Sequence, residues 1–416
     1  MVALTFCISA MLGLLVTSSS NGNEDAALER PSPAKSLALT VHDTILIDGN
    51  AGFNNASGVV WGSGTESDPY IIADWEISAL LAHGIIIQGT DAHFVVRNCY
   101  VHDGSTLHYH GILLTSCVNG TLENNTCANN RFGISLQSSS DNKLFSNNCS
   151  DSWNGNDISL SLSSNNTMIG NSAGVSLGSS SNSNTIIRNG GVILDSSSNN
   201  TVIENHGRIG LLYSSNNNTI AGNNCLHSGI LLMWSCNNNT LIDNDCSEVD
   251  GDIGAYGMRL YSSSGNFLIN NTCNLSTLCG LSLSTSSNHN TLIGNDISSN
   301  KGYGISVSSS NDNRIWNNTF INNWIQASDT GINNRWNSTD GYGNYWSDWT
   351  TPDVDPPFGI VDLPYNISGW AGAKDYYPLT TTPAEPIPEF GVMPLVALIL
   401  LVAVLLTTGA RRRKAE

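Results

Sequence analysis

Ser214-Ser215-Asn216-Asn217-Asn218-Thr219-Ile220, closing at Asn223, leads into Gly229-Ile230-Leu231-Leu232. These two phrases decide the fold, because relatives of them fill most of the chain. A Gly-[Ile/Val]-x-Leu phrase starts at Gly84, Gly111, Gly133, Asp157 (in place of Gly), Gly174, Gly191, Gly210, Gly229, Gly257, Gly280 and Gly304. Eleven starts over the 220 residues from 84 to 304 give a mean period of 22, in the range that marks solenoids. In Gly280-Leu281-Ser282-Leu283 the apolar residues alternate, and a period of two over three or four positions is a short strand with one buried face. The Ser/Asn cluster that follows is turn chemistry, since Asn tolerates left-handed backbone and bonds its own main chain. Thr-Ile or Thr-Leu then opens a second strand. The apolar spacing of three and four that a helix needs is missing. Coils of this kind stack into a parallel β-helix, in which only the array can bury the apolar face.

Stacking places equivalent residues above one another, so ladders of Asn in the turns and of Ile/Leu inside are expected. Cys127, Cys149, Cys225, Cys246 and Cys273 lie one or two residues past the repeat Asn. They read as a stacked internal ladder, as buried thiols or as disulfides between neighbouring coils. From each Gly to its closing Asn the distance is 13 to 15 residues, whereas the gaps onward from Asn98 run 13, 9, 10, 3, 2, 5, 6, 13, 10, 9. The fixed part is the two-strand wall, and the variable part projects on one side. The short gaps, between Asn171 and Gly229, predict a trough about four coils long there, or roughly 20 Å at ~4.8 Å per coil.

The ends and the composition set the address. Leu4 to Val16 is apolar and ends in Thr17-Ser18-Ser19-Ser20, which reads as a secretory signal. Gly391 to Ala410 is a 20-residue stretch without a charge, followed by Arg411, Arg412, Arg413 and Lys414. That is long enough to span a bilayer, with the basic end cytoplasmic and the body outside. With 34 acidic against 16 basic residues and a net charge of −18, the chain lacks the basic stripe that nucleic acid binding requires. Thirteen sequons fit export: Asn55, Asn119, Asn124, Asn148, Asn165, Asn199, Asn217, Asn238, Asn270, Asn274, Asn317, Asn337 and Asn366. Ten cysteines become nine once Cys7 leaves with the signal, and the odd count leaves a free thiol or an intermolecular bond.

Candidate ligand contacts on the trough are Glu204, His206, Arg208 and His227 on its floor, with His102, Asp103, His108 and His110 in the first long loop. The second long loop carries Asp245, Glu248, Asp250 and Asp252, an oxygen-rich set suited to Ca²⁺. Asp353, Asp355 and Asp362 form a further candidate metal set. The two long loops stand roughly 34 Å apart at the same rise and make no single site. Glu204, Asp195 and Arg208 offer polysaccharide hydrolysis or elimination only in outline, because no spacing selects them. Six of the ten tryptophans lie in Trp316 to Trp370, where the repeat fades and the open end of the stack must be closed. Trp336, Trp346, Trp349 and Trp370 are expected to pack that cap or to serve as sugar platforms.

Three motifs resemble the NosD-type parallel β-helix family: Gly64-Thr65-Glu66-Ser67-Asp68-Pro69-Tyr70-Ile71-Ile72 with Trp75 and Ile77, the Asn-Asn-Thr-Ile repeat, and Gly343-Asn344-Tyr345-Trp346-Ser347-Asp348-Trp349 with Asp362-Leu363-Pro364-Tyr365. The resemblance covers about residues 45 to 378. It implies a right-handed helix shaped like pectate lyases and a class labelled carbohydrate-binding or sugar-hydrolase-like, found in many archaeal surface proteins. The family name is tied to copper delivery for a nitrous oxide reductase. This chain has six Met, three of them in the terminal apolar segments, and no Met/His cluster at ligand spacing. Pro388-Glu389-Phe390 resembles an archaeal PEF sorting signal, which implies cleavage and lipid attachment in place of a permanent span.

The expected architecture is all-β: one right-handed parallel β-helix of about 11 coils, capped at both ends, with a C-terminal transmembrane helix. Its parts are a signal (1–22), linker (23–44), N-terminal cap and entry strands (45–83), coils (84–325), Trp-rich cap (326–378), Pro/Thr linker (379–390), span or sorting helix (391–410) and basic tail (411–416). The expected function is non-catalytic binding of extracellular glycans or envelope proteins. A polysaccharide lyase or hydrolase, a copper-related factor and a rigid envelope spacer are the other readings.

Overall fold

The computed structural model describes residues 39–149, 157–250, 255–349 and 352–383. The expected signal, the apolar C-terminal run and the basic tail lie outside them. Among the described residues no helix is long and apolar enough to cross a membrane.

Two 13-stranded sheets form the walls of a solenoid. The first face begins at Ile45–Asp48 and ends at Ile325–Asp329, every pair parallel. Its register stacks Ile158, Val175, Val192, Ile209 and Ile230, and beside them Leu160, Leu177, Leu194, Leu211 and Leu232. The second face carries the Thr-Ile strands and stacks Met168, Ile186, Val202, Ile220 and Leu241. All these side chains are buried. A buried Ile, Leu, Val or Met contributes ~1.5–3 kcal/mol by leaving water, so the three columns hold the stack together. Leu194→Asp breaks it, by placing an unpaired carboxylate in the middle of one column. Pairing starts already at Thr40–Val41 with Trp75–Ser78, so the entry strands are part of the stack. One antiparallel pair, Val59–Trp61 with Tyr70–Ala73, closes the N-terminal end of the second face.

Asparagine makes the corners. In the ladder Asn171–Asn189–Asn205–Asn223–Asn244 each backbone N–H donates to the next residue's Oδ1 at 2.9–3.1 Å. Each Nδ2 donates to a main-chain oxygen inside the coil, such as Leu144, Met168, Ile186 and Val202. A second ladder passes through Asn166, Asn184, Asn200 and Asn218 at the other corner. Polar groups this deep are tolerated because their bonds are made. The residue before the ladder Asn takes left-handed backbone, as at Arg188 (φ 55°) and Glu204 (φ 53°), which turns the chain sharply out of the strand.

One expected register shifts. Ile209, not the residue after Gly210, occupies the inner column; Gly210 faces outward between Ile193 and Leu231. The nine described cysteines are all buried. Burial raises Cys99 to about 12 and Cys236 to about 11, so these thiols stay protonated and inert.

At the C-terminal end Phe320, Trp346 and Tyr365 stack face to face at 4.4 and 4.1 Å. Trp336 and Trp346 are fully buried, as a cap requires, and Trp349 packs partly against them. Trp370 departs from that expectation, being 97% exposed. Pairing extends to Leu379, which bridges Tyr345 and Ile360, one residue into the expected linker.

Candidate functional site

The third side of the coil varies in length, as the gaps require. At the N-terminal end it is a four-stranded sheet that includes Tyr100–His102 and Thr126–Ala128, and at the C-terminal end a three-stranded one from Asp296–Ser298 to Tyr345–Trp346. Between them the ladder steps shorten to 18, 16 and 18 residues, and only isolated bridges such as His206 to Asn224 remain. The short coils from Asn171 to Gly229 therefore form a saddle between thicker ends.

The sequence candidates do not converge there. Glu204 is bound to Arg188 Nε at 2.6 Å, one coil down, while Asp195 ends a first-face strand and accepts from Ser196 Oγ at 2.8 Å. His206 and Arg208 are exposed. His227 Nε2 faces Glu248 Oε2 at 3.7 Å. His102 is held at the N-terminal end, with Nδ1 2.7 Å from Asp103 Oδ2, Nε2 3.7 Å from Glu76 Oε1 and its ring on Tyr100 at 4.5 Å. His108 is exposed on the same loop. His110 is not a loop ligand: it is buried between His83 (4.8 Å) and Phe132 (5.2 Å), each from a neighbouring coil. Its burial, with His83 and Arg131 adding to the effect, lowers its pKa to about 4. Its backbone N–H donates to His83 Nδ1 at 2.8 Å.

The carboxylate sets are mostly engaged by main chain. Asp245 Oδ1 accepts from Ser247 N–H. Asp353 Oδ2 accepts from Gly359 N–H at 2.6 Å, and Asp362 accepts from Val354 and Asp355 N–H. Asp250 is exposed and Asp252 lies outside the described residues. Among the described residues no group of three or more His, Cys, Asp or Glu is arranged to hold a metal ion. Copper, which favours thiolate, thioether and imidazole donors, does not fit them either. Met168 and Met258 are core residues and the thiols are buried.

A different cluster stands out on the outer surface of the first face. Most of that surface is small and polar, with Ser159 and Ser176 in one column and Ser161 and Gly178 in the next. Over three coils it turns apolar and aromatic. Leu212, Met233 and Tyr261 stack in register, and Gly210, Leu231 and Arg259 beside them. At the corner that follows, Ser196 gives way to Tyr213 and then Trp234. The Tyr213 and Trp234 rings stack at 4.6 Å and 11°, yet remain 50% and 40% exposed. Both have left-handed backbone (φ 47° and 62°), where bulky residues are uncommon. On the flanking coils the same corner holds the small residues Ser196 and Ser262. Next to them the Arg259 guanidinium lies between Tyr256 (4.9 Å) and Tyr261 (5.5 Å). Its buried Nε has no hydrogen-bond partner among the described residues. The sequence signal was present, two aromatics replacing Ser at one corner position, but it is visible only once the register is known.

Two family models match. Residues 57–207 match the right-handed β-helix region and residues 172–351 match NosD, described as a periplasmic copper-binding protein. No curated protein matches the chain by sequence. Among solved structures, the periplasmic alginate epimerase AlgG is similar at 14% identity and a TM-score of 0.37, covering 69% of this chain and 74% of that one. The catalytic domain of a GH87 α-1,3-glucanase is similar at 12% identity and a TM-score of 0.37, covering 79% and 71%. The A-module of Azotobacter vinelandii mannuronan C-5 epimerase AlgE6 is similar at 14% identity and 0.33, covering 64% and 86%. Similarity at this level carries no argument about chemistry. Stacked register, corner ladders and both family models agree on a right-handed parallel β-helix, similar over residues 172–351 to the NosD family.

Proposed function

We propose that this protein is an exported, surface-held solenoid that binds glycans without transforming them. The aromatic strip from Tyr213 to Tyr261 is the observation that carries this reading. Exposed rings on a rigid wall present apolar faces at little conformational cost, and a sugar ring offers a matching C–H face. The surrounding Ser, Thr and Asn side chains supply donors and acceptors for hydroxyls. Arg259, fixed between two tyrosines, adds a charged donor at the end of the strip.

Export is supported by the N-terminal apolar run and the sequons. Retention at the membrane is supported by Gly391 to Ala410 with its basic flank, either as a permanent span or as a processed PEF-type signal. The Asp245, Glu248, Asp250 and Asp252 set has no part in this proposal, since Asp245 is bonded to Ser247 N–H, Glu248 faces His227 and Asp252 lies outside the described residues. Screening the full chain against a glycan array, with product analysis on every hit, tests the reading. Binding without product supports it, and shortened or unsaturated products replace it with a lyase or hydrolase.

A further inference from the structure

On the outer surface of the second face one column is built of threonine: Thr167, Thr185, Thr201, Thr219 and Thr240 stack coil upon coil. After Phe267 and Thr291 the column ends in Arg314 and Arg335. These two arginines bridge directly on adjacent coils and both are exposed. Like charges directly opposite one another oppose pairing. Neither guanidinium has an ion pair or a side-chain hydrogen bond among the described residues, whose only Arg–carboxylate pair is Arg188–Glu204. That is unusual in a chain with 34 acidic and 16 basic residues, where a carboxylate partner is easily supplied.

The pair faces a hollow of about 630 Å³ that also takes in His289 and Asp312. Through Asn333 and Asn334 this hollow joins a second, of about 460 Å³, walled by Ile332 and the exposed Trp370. Through His289 it joins a third, of about 580 Å³, lined by Ser and Asn corner residues from Ser235 onward. The three make one groove along the solenoid axis. It crosses about five coils, or roughly 20 Å at ~4.8 Å per coil.

We propose that this groove binds an acidic linear glycan, its carboxylate or sulfate groups on Arg314 and Arg335 and one sugar ring against Trp370. Paired guanidinium groups suit oxyanions through bidentate hydrogen bonds. The remaining wall is largely Asn, Ser and Thr, with His289, Asp312 and Asp329 also in it, and suits hydroxyl groups and not an apolar peptide. Two cations are too few for a nucleic acid backbone, whose binding depends on neutralising many phosphates. Arg314, Arg335 and Trp370, which carry the proposal, stand at the opposite end of the groove from Ser235 and Ser262, which sit at the corner of the Tyr213–Trp234 strip, and the proposal does not depend on that strip binding anything.

The test is calorimetric titration of the full chain with three probes: a galacturonic acid hexamer, the same hexamer methyl-esterified, and a sulfated glucose hexamer. The account expects at least one acidic probe to bind, tenfold or more weakly after Arg314→Gln/Arg335→Gln or Trp370→Ala, and more weakly as salt rises. Which acidic probe binds decides between carboxylate and sulfate. Removing the like-charge pair is expected to leave the melting temperature unchanged or higher, which separates lost binding from lost folding. Equal binding of the esterified hexamer, full affinity in the double Arg variant, or no binding of either acidic probe would overturn the proposal.

Discussion

Asp375 ends the asparagine ladder: its Oδ2 accepts the backbone N–H of Asn344 at 2.6 Å, in the place where the next coil's Asn would stand. Asn344 itself receives Asn318 N–H at 3.1 Å. The same Asp375 oxygen accepts the Trp346 indole N–H at 3.0 Å. At the end of the second ladder Asp329 accepts instead from the side-chain Nδ2 of Asn334, and also from Trp336 Nε1. A stack of identical coils leaves one row of N–H groups without acceptors at its last rung. Two buried carboxylates from the cap supply them, and each also fixes a tryptophan over the open core.

Asp375→Ala therefore leaves the Asn344 and Trp346 donors buried and unpaired. At ~1–3 kcal/mol for each lost acceptor, about 3–5 kcal/mol of stability is expected to disappear. Urea denaturation followed by tryptophan fluorescence measures it; a midpoint shift corresponding to less than 1 kcal/mol would show that the carboxylate is not the terminator.

Stability is expected to depend on pH through two groups of opposite sense. Burial raises Asp375 to about 6 from its ordinary 3.8, against the donors from Trp346, Asn344 and Tyr377. The folded state thus holds that proton more tightly than the unfolded chain. This contribution is complete below about pH 4 and is lost as pH rises to about 6, amounting to about 3 kcal/mol. His110 is lowered from 6.5 to about 4, so its contribution is complete above pH 6.5 and is lost as pH falls toward 4. In His110→Phe the first trend is opposed only by His83, whose pKa burial and Arg131 also lower, and stability falls from pH 4 to 6. In Asp375→Ala only the second remains, and stability rises over the same window. Melting curves of both variants across pH 4 to 7 check the two signs.

Within the ladder, Asn205→Ala removes the acceptor of Asn189 N–H and the donor to Ile186 O. The expected cost is about 2–4 kcal/mol. Asn205→Ser, too short to reach across a coil, should recover little of it. Recovery to within 0.5 kcal/mol in a denaturant titration would mean that the corner amides contribute less than the geometry implies.

The nine buried thiols should be silent to a thiol-reactive reagent in the native protein and all nine should react after unfolding without reductant. Burial holds them protonated, and thiolate is the reactive form. Fewer reactive groups in the unfolded state, counted by mass spectrometry, would reveal disulfides between coils.

The coils were legible in the sequence because a period of two, interrupted by Asn and Ser, leaves few ways to bury Ile and Leu. Coil lengths were legible for the same reason, including the thin stretch near Asn189 and Asn205. Binding chemistry was not, because it depends on register. Gly210 mimics the start of a unit, whereas Ile209 holds the inner column, and that slip hides Tyr213 beside Trp234. His110 and His83 are 27 residues apart in sequence and stack only because their coils are adjacent. Polar residues on the saddle, such as Glu204, resemble a site in the sequence; the structure pairs Glu204 with Arg188 across one coil.

The most direct test of the central claim compares the full chain with Tyr213→Ala and Trp234→Ala on the glycans found by array screening. The stacked pair contributes ~0.5–1.5 kcal/mol beyond its buried area, so both variants should stay folded with only slightly lower melting temperatures. The account predicts that each loses tenfold or more in glycan affinity and that no product forms with the native chain. Unchanged affinity in both folded variants would contradict the account and leave the aromatic stack as a purely structural feature of the corner.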